Sequence, residues 1–110
     1  MVKFLDIKDR YSIVPQMKNY DQISCEYKPF IMFFNCSNYK SKIVNTDEIG
    51  FRLNYHNKNL EKLSSFFNKE NVTIIIGGSL VFGFGATSDN NTISSILSNK
   101  TNKVYLNFGA

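Results

Sequence analysis

Tryptophan is absent from this 110-residue chain, histidine occurs once, and cysteine and proline occur twice each. A single histidine, His56, excludes a cluster of imidazole ligands, and Cys25 and Cys36 fit neither a C-x-x-C redox motif nor a zinc-ligand spacing. No metal and no cofactor are therefore expected. Long apolar runs are missing as well, since nothing approaches the roughly 18 residues of a membrane-spanning helix. Charge of one sign is nowhere concentrated. The formal net charge of +4 comes from lysines scattered singly among Asn, Ser and Tyr. That pattern describes a solvated surface rather than a nucleic-acid footprint. Met1 to Arg10 carries charges throughout and has no apolar leader core. A cytoplasmic protein with two reduced thiols is the expectation. Asn35, Asn71, Asn90 and Asn99 match the N-x-S/T pattern, as chance matches in an Asn-rich chain would.

What is present is ample core material, 43% hydrophobic and 15% aromatic, enough for one domain at most. Residues 1 to about 25 are polar, broken by Pro15 and without a sustained period, so they read as a loosely structured arm with one helical turn. Pro29 to Phe34 is an aromatic run of strand length, read as a buried or half-buried strand rather than a stacking platform for bases. Ile43-Val44 starts a second extended piece. Gly50 to Tyr55 alternates apolar with polar, as a strand with one wet face does. These pieces are expected to pair as antiparallel strands beside the main sheet. Leu60, Leu63, Phe66 and Phe67 then repeat at helical spacing, which predicts a core-facing helix over about 58–68 capped by Asn57 or Asn59.

Val72-Thr73-Ile74-Ile75-Ile76 is a β-branched run that reads as a strand over 72–77 buried on both faces. Gly77-Gly78 follows, leaving the backbone free to turn, and Ser79 stands at the carboxyl end of that strand, where ligands of open α/β sheets bind. Asp89 or Asn91 is expected to cap a helix carrying Ile93, Ile96 and Leu97. A strand over 103–107 then lies parallel to the first, completing a βαβ unit.

The glycines alone leave two readings level, a nucleophile at Ser79 and an anion-binding loop over Gly77 to Gly85. The stretch is not a G-x-S-x-G elbow, because Val81 takes the last glycine position. It is not a P-loop, because no lysine follows until Lys100, and the Rossmann spacing also fails. A serine nucleophile needs a base within reach, and His56 sits in the polar turn Tyr55-His56-Asn57-Lys58-Asn59, read as solvent-exposed and non-catalytic.

The run Gly77-Gly78-Ser79-Leu80-Val81-Phe82-Gly83-Phe84-Gly85-Ala86, with its strand and the following residues to Leu97, resembles the first block of the SGNH (GDSL-type) hydrolases. Gly78 stands where the commonest form of that block has Asp. Val104 to Gly109 resembles the next strand and the start of the second block, and Asn45 to Arg52 resembles an N-x-x-G-F-R lead-in found in some bacterial members. The resemblance implies an α/β, flavodoxin-like three-layer fold, here incomplete. An amino-terminal arm with short strands would span 1–45 and a truncated hydrolase-like domain 46–110. It implies that Ser79 is the nucleophile and a backbone oxyanion donor, with Gly109 a second oxyanion candidate. The substrate would be a small-molecule or carbohydrate ester; for Arg52 and Phe51 of the lead-in both packing and substrate contact stay open, with packing favoured. The family's D-x-x-H base pattern and its oxyanion Asn block are not found here, so little activity is expected of the chain alone. The rival readings are a non-catalytic interaction module, whose aromatic run Phe30 to Phe34 and exposed sheet edge recruit a second chain or a second copy, and the anion-binding loop over Gly77 to Gly85.

Overall fold

Pro15 divides the amino-terminal segment into two helices, where a loose arm was expected. The first, α1, runs Ile7–Ile13 and the second, α2, Met17–Ile23. A proline just ahead of α2 costs that helix no hydrogen bond, because the first N–H groups have no intrahelical acceptor. Met17, Tyr20 and Ile23 then fall three residues apart on one face, and Tyr20 and Ile23 are buried. Arg10 and Tyr11 of α1 both reach the Asp21 carboxylate of α2, so the two helices are clasped. The computed structural model describes residues 7–28 and 32–110.

Among the described residues three two-stranded sheets follow. β1 (Ser24–Lys28) pairs antiparallel with β2 (Met32–Asn35), so the aromatic run does contribute a strand, although its residues 29–31 lie outside the described ones. Cys36, just past β2, is disulfide-bonded, which corrects the expectation of reduced thiols. β3 (Asn54–His56) pairs antiparallel with β4 (Asn59–Glu61). Among the described residues neither pair joins the main sheet.

The helix expected over 58–68 is absent. Asn57 and Lys58 both have positive φ, 48° and 63°, and two such residues between paired strands make the tight hairpin turn whose twist matches that of the strands. Asn tolerates that conformation better than most residues, so the turn signal was present and was outweighed by the Leu/Phe spacing. A 3-10 turn over Leu63–Phe66 buries Leu63 and Phe66 but leaves Leu60 and Phe67 exposed.

β5 (Val72–Gly77) and β6 (Val104–Gly109) pair in parallel from Val72 opposite Val104 to Gly77 opposite Gly109, as the βαβ reading expects. Between them come α3 (Ser79–Phe82), a 3-10 turn over Asp89–Asn91 and α4 (Ile93–Thr101). Leu63, Phe66 and Leu106 form one core cluster, with Phe51, Val72, Val104 and Phe108 packed against it. Tyr20, Ile23, Val44 and Phe82 form a second. Contrary to expectation, β5 is not buried on both faces: Ile74 is 52% exposed and Ile76 80%.

Two amphipathic readings come out inverted. Along 50–56 the buried side chains are Arg52, Asn54 and His56, while Phe51, Leu53 and Tyr55 are half-buried. Only 54–56 form strand there, with a single bridge from Thr46 to Arg52, and Ile43-Val44 lies in no strand. On α4 the buried residues are Ser94, Ser95 and Ser98, with Ile93 and Ile96 exposed. The hydrogen bonds explain both. Ser95 Oγ accepts the Tyr55 N–H, Ser98 Oγ accepts the Tyr105 N–H, and the Asn54 amide donates to the Tyr105 carbonyl. The seam between β3, α4 and β6 is therefore closed by polar side chains that satisfy strand edges.

Candidate active site

Ser79 is the first residue of α3 and lies exposed just beyond the carboxyl end of β5. The turn that carries it is closed by backbone bonds. Gly78 O accepts the N–H groups of Val81 (3.0 Å) and Phe82 (3.1 Å). At the other end Phe84 N–H reaches Ser79 O at 2.9 Å and Gly83 N–H reaches Leu80 O at 3.2 Å, with Gly83 left-handed at φ 84°; this is the Schellman arrangement. Ala86 N–H goes to Gly83 O. With Val81 to Phe84 and Ala86 donating internally, those N–H groups are not left to cradle a phosphate.

Glycine serves close approach here rather than the sharp turn expected at Gly77-Gly78. A Cβ on Gly77 would lie 2.5 Å from Val81 Cγ2, and one on Gly109 would lie 2.0 Å from the Phe82 backbone nitrogen. The paired ends of β5 and β6 are thus a bare platform on which α3 rests. Gly78 is different. Its Cβ would meet nothing within 4 Å and its φ is −82°, so a residue with a Cβ fits there without a clash at that atom.

Gly109 is buried and its N–H donates to Asn107 Oδ1 at 2.9 Å, so service as an oxyanion donor would first require leaving that acceptor. Asn107 is itself fully buried and its amide reaches the Phe82 carbonyl at 3.4 Å.

Beneath the turn lies Arg52, the largest fully buried side chain described. Its Nε donates to Asp89 Oδ1 at 2.7 Å, its Nη2 to Ile43 O, and its Nη1 to Tyr20 OH, Phe82 O and Gly83 O. Asp89, expected as a helix cap, is instead the buried counter-ion, and it also accepts from the backbone and side chain of Asn45. Thr92 caps α4, accepting the Ser95 N–H. Burial pushes the Tyr20 phenol above its ordinary range, partly offset by Arg52. The expected packing role of Arg52 is met; the ion pair with Asp89 was not anticipated, although a lone arginine among apolar and amide residues is a signal for one.

His56 is not exposed. It lies in β3, 9% exposed, edge-on to Phe66 with ring centroids 6.3 Å apart, and its Nδ1 has no hydrogen-bond partner among the described residues. Its neighbour Asn54 meets Tyr105, four residues along β6 from Gly109, so about 13 Å separates that contact from the platform under Ser79. No hydrogen bond joins His56 to Ser79 among the described residues. Among the described residues none hydrogen-bonds to the Ser79 hydroxyl, and no group of three or more His, Cys, Asp or Glu could hold a metal ion. No described helix is long and apolar enough to cross a membrane. No protein-family model matches the chain, and no curated protein matches it.

Proposed function

We propose that Ser79 is the nucleophile of an SGNH-type serine ester hydrolase acting on a small-molecule or carbohydrate ester. The observation that carries this reading is the placement of one hydroxyl: exposed, at the carboxyl end of a parallel strand pair, on a turn whose backbone is fastened at both ends. Its Oγ bonds to the ester carbonyl carbon as its proton passes through solvent water to the oxygen of the departing alcohol, and a second water then adds to the acyl carbonyl, releasing the acid and returning a proton to Oγ. As the first residue of α3, Ser79 has an N–H with no intrahelical acceptor, which is free to meet the oxyanion. One such preorganised donor contributes about 3 kcal/mol to the transition state. No base stands beside Ser79 among the described residues, and removing a triad base lowers turnover on the order of 10⁴-fold or more. Slow acylation without efficient turnover is the behaviour expected of this chain. Incubation with a fluorophosphonate and peptide mapping should find the adduct on Ser79 and lose it in Ser79→Ala. Labelling that persists in that variant, or that never reaches Ser79, defeats the reading.

A second reading has its own observation. Ile74 and Ile76 project from a sheet whose β5 edge has no partner strand among the described residues, and β5 carries no charge and no proline to discourage pairing. Self-association through that edge is compatible with a hydrolase role and does not require it.

A further inference from the structure

We infer that Arg52 is the positioning residue of the Ser79 turn, acting through the carbonyls at the end of α3 and not on substrate. The inference draws its chemical meaning from Ser79 as nucleophile, while its geometry stands apart from that reading. A helix of four residues cannot hold itself, since a single turn fixes several dihedrals for very few hydrogen bonds. Tertiary contacts must hold it instead. The amino end is tied by Gly78 O and by the Gly77–Gly109 platform. The carboxyl end leaves carbonyls without intrahelical donors, and among the described residues Arg52 Nη1 is the one group that reaches two of them, Phe82 O at 3.2 Å and Gly83 O at 2.9 Å, where Asn107, Ala86 and Tyr20 each reach one.

A cation is favoured at that end of a helix, and the planar guanidinium alone among side chains can serve several acceptors in fixed directions at once. Here the fork is immobilised. Asp89 holds Nε, Ile43 O holds Nη2, and the group lies 5.6 and 5.5 Å from the Tyr20 and Phe82 ring centres. Gly83 admits it because a Cβ there would stand 3.2 Å from Nη1 and 2.8 Å from Thr92 Cγ2. The line of force then returns to the nucleophile, because the N–H groups of Gly83 and Phe84 both donate to Ser79 O. Moving Arg52 moves the residues that hold the serine backbone. Full burial of Arg52 excludes direct contact with a substrate at the surface.

Amide hydrogen exchange on the chain tests this. In Arg52→Lys, whose single nitrogen cannot span these acceptors, the amides of Val81, Phe82, Gly83 and Phe84 should exchange on the order of tenfold faster. Amides of the β5–β6 ladder should keep their protection. Uniform acceleration of both sets, or no change in the turn, overturns the inference. If Arg52→Lys does not fold, Asp89→Asn keeps the arginine but weakens its anchor, and the same local pattern is required of it. Fluorophosphonate labelling of Ser79 should slow in the same variant. A parent protein that never labels would remove the nucleophile reading and leave the exchange pattern to judge Arg52 alone.

Discussion

Gly77 and Gly109 are register partners at the ends of β5 and β6, and α3 lies across both of them. Gly109 lets the α3 backbone, and Gly77 the Val81 side chain, come down onto the sheet at a distance that no other residue permits. Gly109→Ala would drive a methyl into the Phe82 backbone nitrogen, an overlap of rigid main chain with nothing flexible to yield. We expect at least about 3 kcal/mol of lost stability, seen as a collapse of the thermal or urea midpoint. Gly78→Ala, one residue past the platform and facing open space, should shift that midpoint by less than about 0.5 kcal/mol.

Asp89 is held between Arg52 and Asn45, and its removal strands a buried cation. Asp89→Ala should therefore cost about 3–5 kcal/mol, the usual penalty for breaking one side of a buried pair. The double variant Arg52→Met with Asp89→Leu, which leaves no orphaned charge, should recover part of that loss. A urea denaturation series on the parent, Arg52→Met, Asp89→Leu and the double variant measures the coupling, and strictly additive losses would contradict it.

The βαβ unit was legible because its signals are local and strong: a β-branched run, glycines at its end, and a second strand after a short helix. The residues beneath the turn were less so. Arg52, Asn54 and His56 occupy the buried phase of an alternating segment, and Ser94, Ser95 and Ser98 the buried phase of a helix, so hydropathy alone assigns the wrong face in both. Asn54, Ser95 and Ser98 are held there by hydrogen bonds between β3, α4 and β6, and Arg52 by Asp89 and carbonyls outside that seam, which no local pattern encodes. The hairpin at Asn57-Lys58 was outcompeted by a chance helical spacing of Leu and Phe. Ser79 was placed correctly relative to its strand, and its support by Arg52 depended on contacts 30 residues distant in sequence.

Tyr20 ties the same region to pH. Its hydroxyl bonds Ala86 O at 2.7 Å and receives Arg52 Nη1, and burial raises its ionisation above the ordinary tyrosine range. A phenol held protonated by the fold contributes stability that is complete below the ordinary tyrosine pKa and is lost as pH climbs through the raised folded value. Tyr20→Phe should cost about 1–2 kcal/mol at neutral pH. It should also flatten the alkaline fall in stability. Tyrosinate absorbance followed with pH, alongside melting, distinguishes the variant, and an unchanged alkaline limb would refute the assignment.

Lys58 sits at φ 63° in the hairpin turn, a conformation that costs a residue with a Cβ about 1 kcal/mol and glycine almost nothing. Lys58→Gly makes the Asn-Gly sequence that this turn prefers. Despite the extra freedom glycine gives the unfolded chain, the variant should be more stable by several tenths of a kcal/mol. A lower melting temperature would mean that the turn is not the two-residue form described.

Ile76 is the most exposed large apolar residue described, and with Ile74 it flanks the open side of β5. An uncharged β-branched edge is a template for another strand, and in two copies it is self-complementary, since neither presents a charge to repel the other. The chain should therefore show a concentration-dependent increase in hydrodynamic size. Ile76→Lys should abolish that increase while leaving the melting temperature within a degree or two, because a side chain already in water surrenders almost no core packing. Sedimentation across a dilution series decides it. A parent that stays monomeric at every concentration would leave these isoleucines as mere surface, and a variant that still associates would place the contact on another face, such as Ile93 and Ile96 of α4.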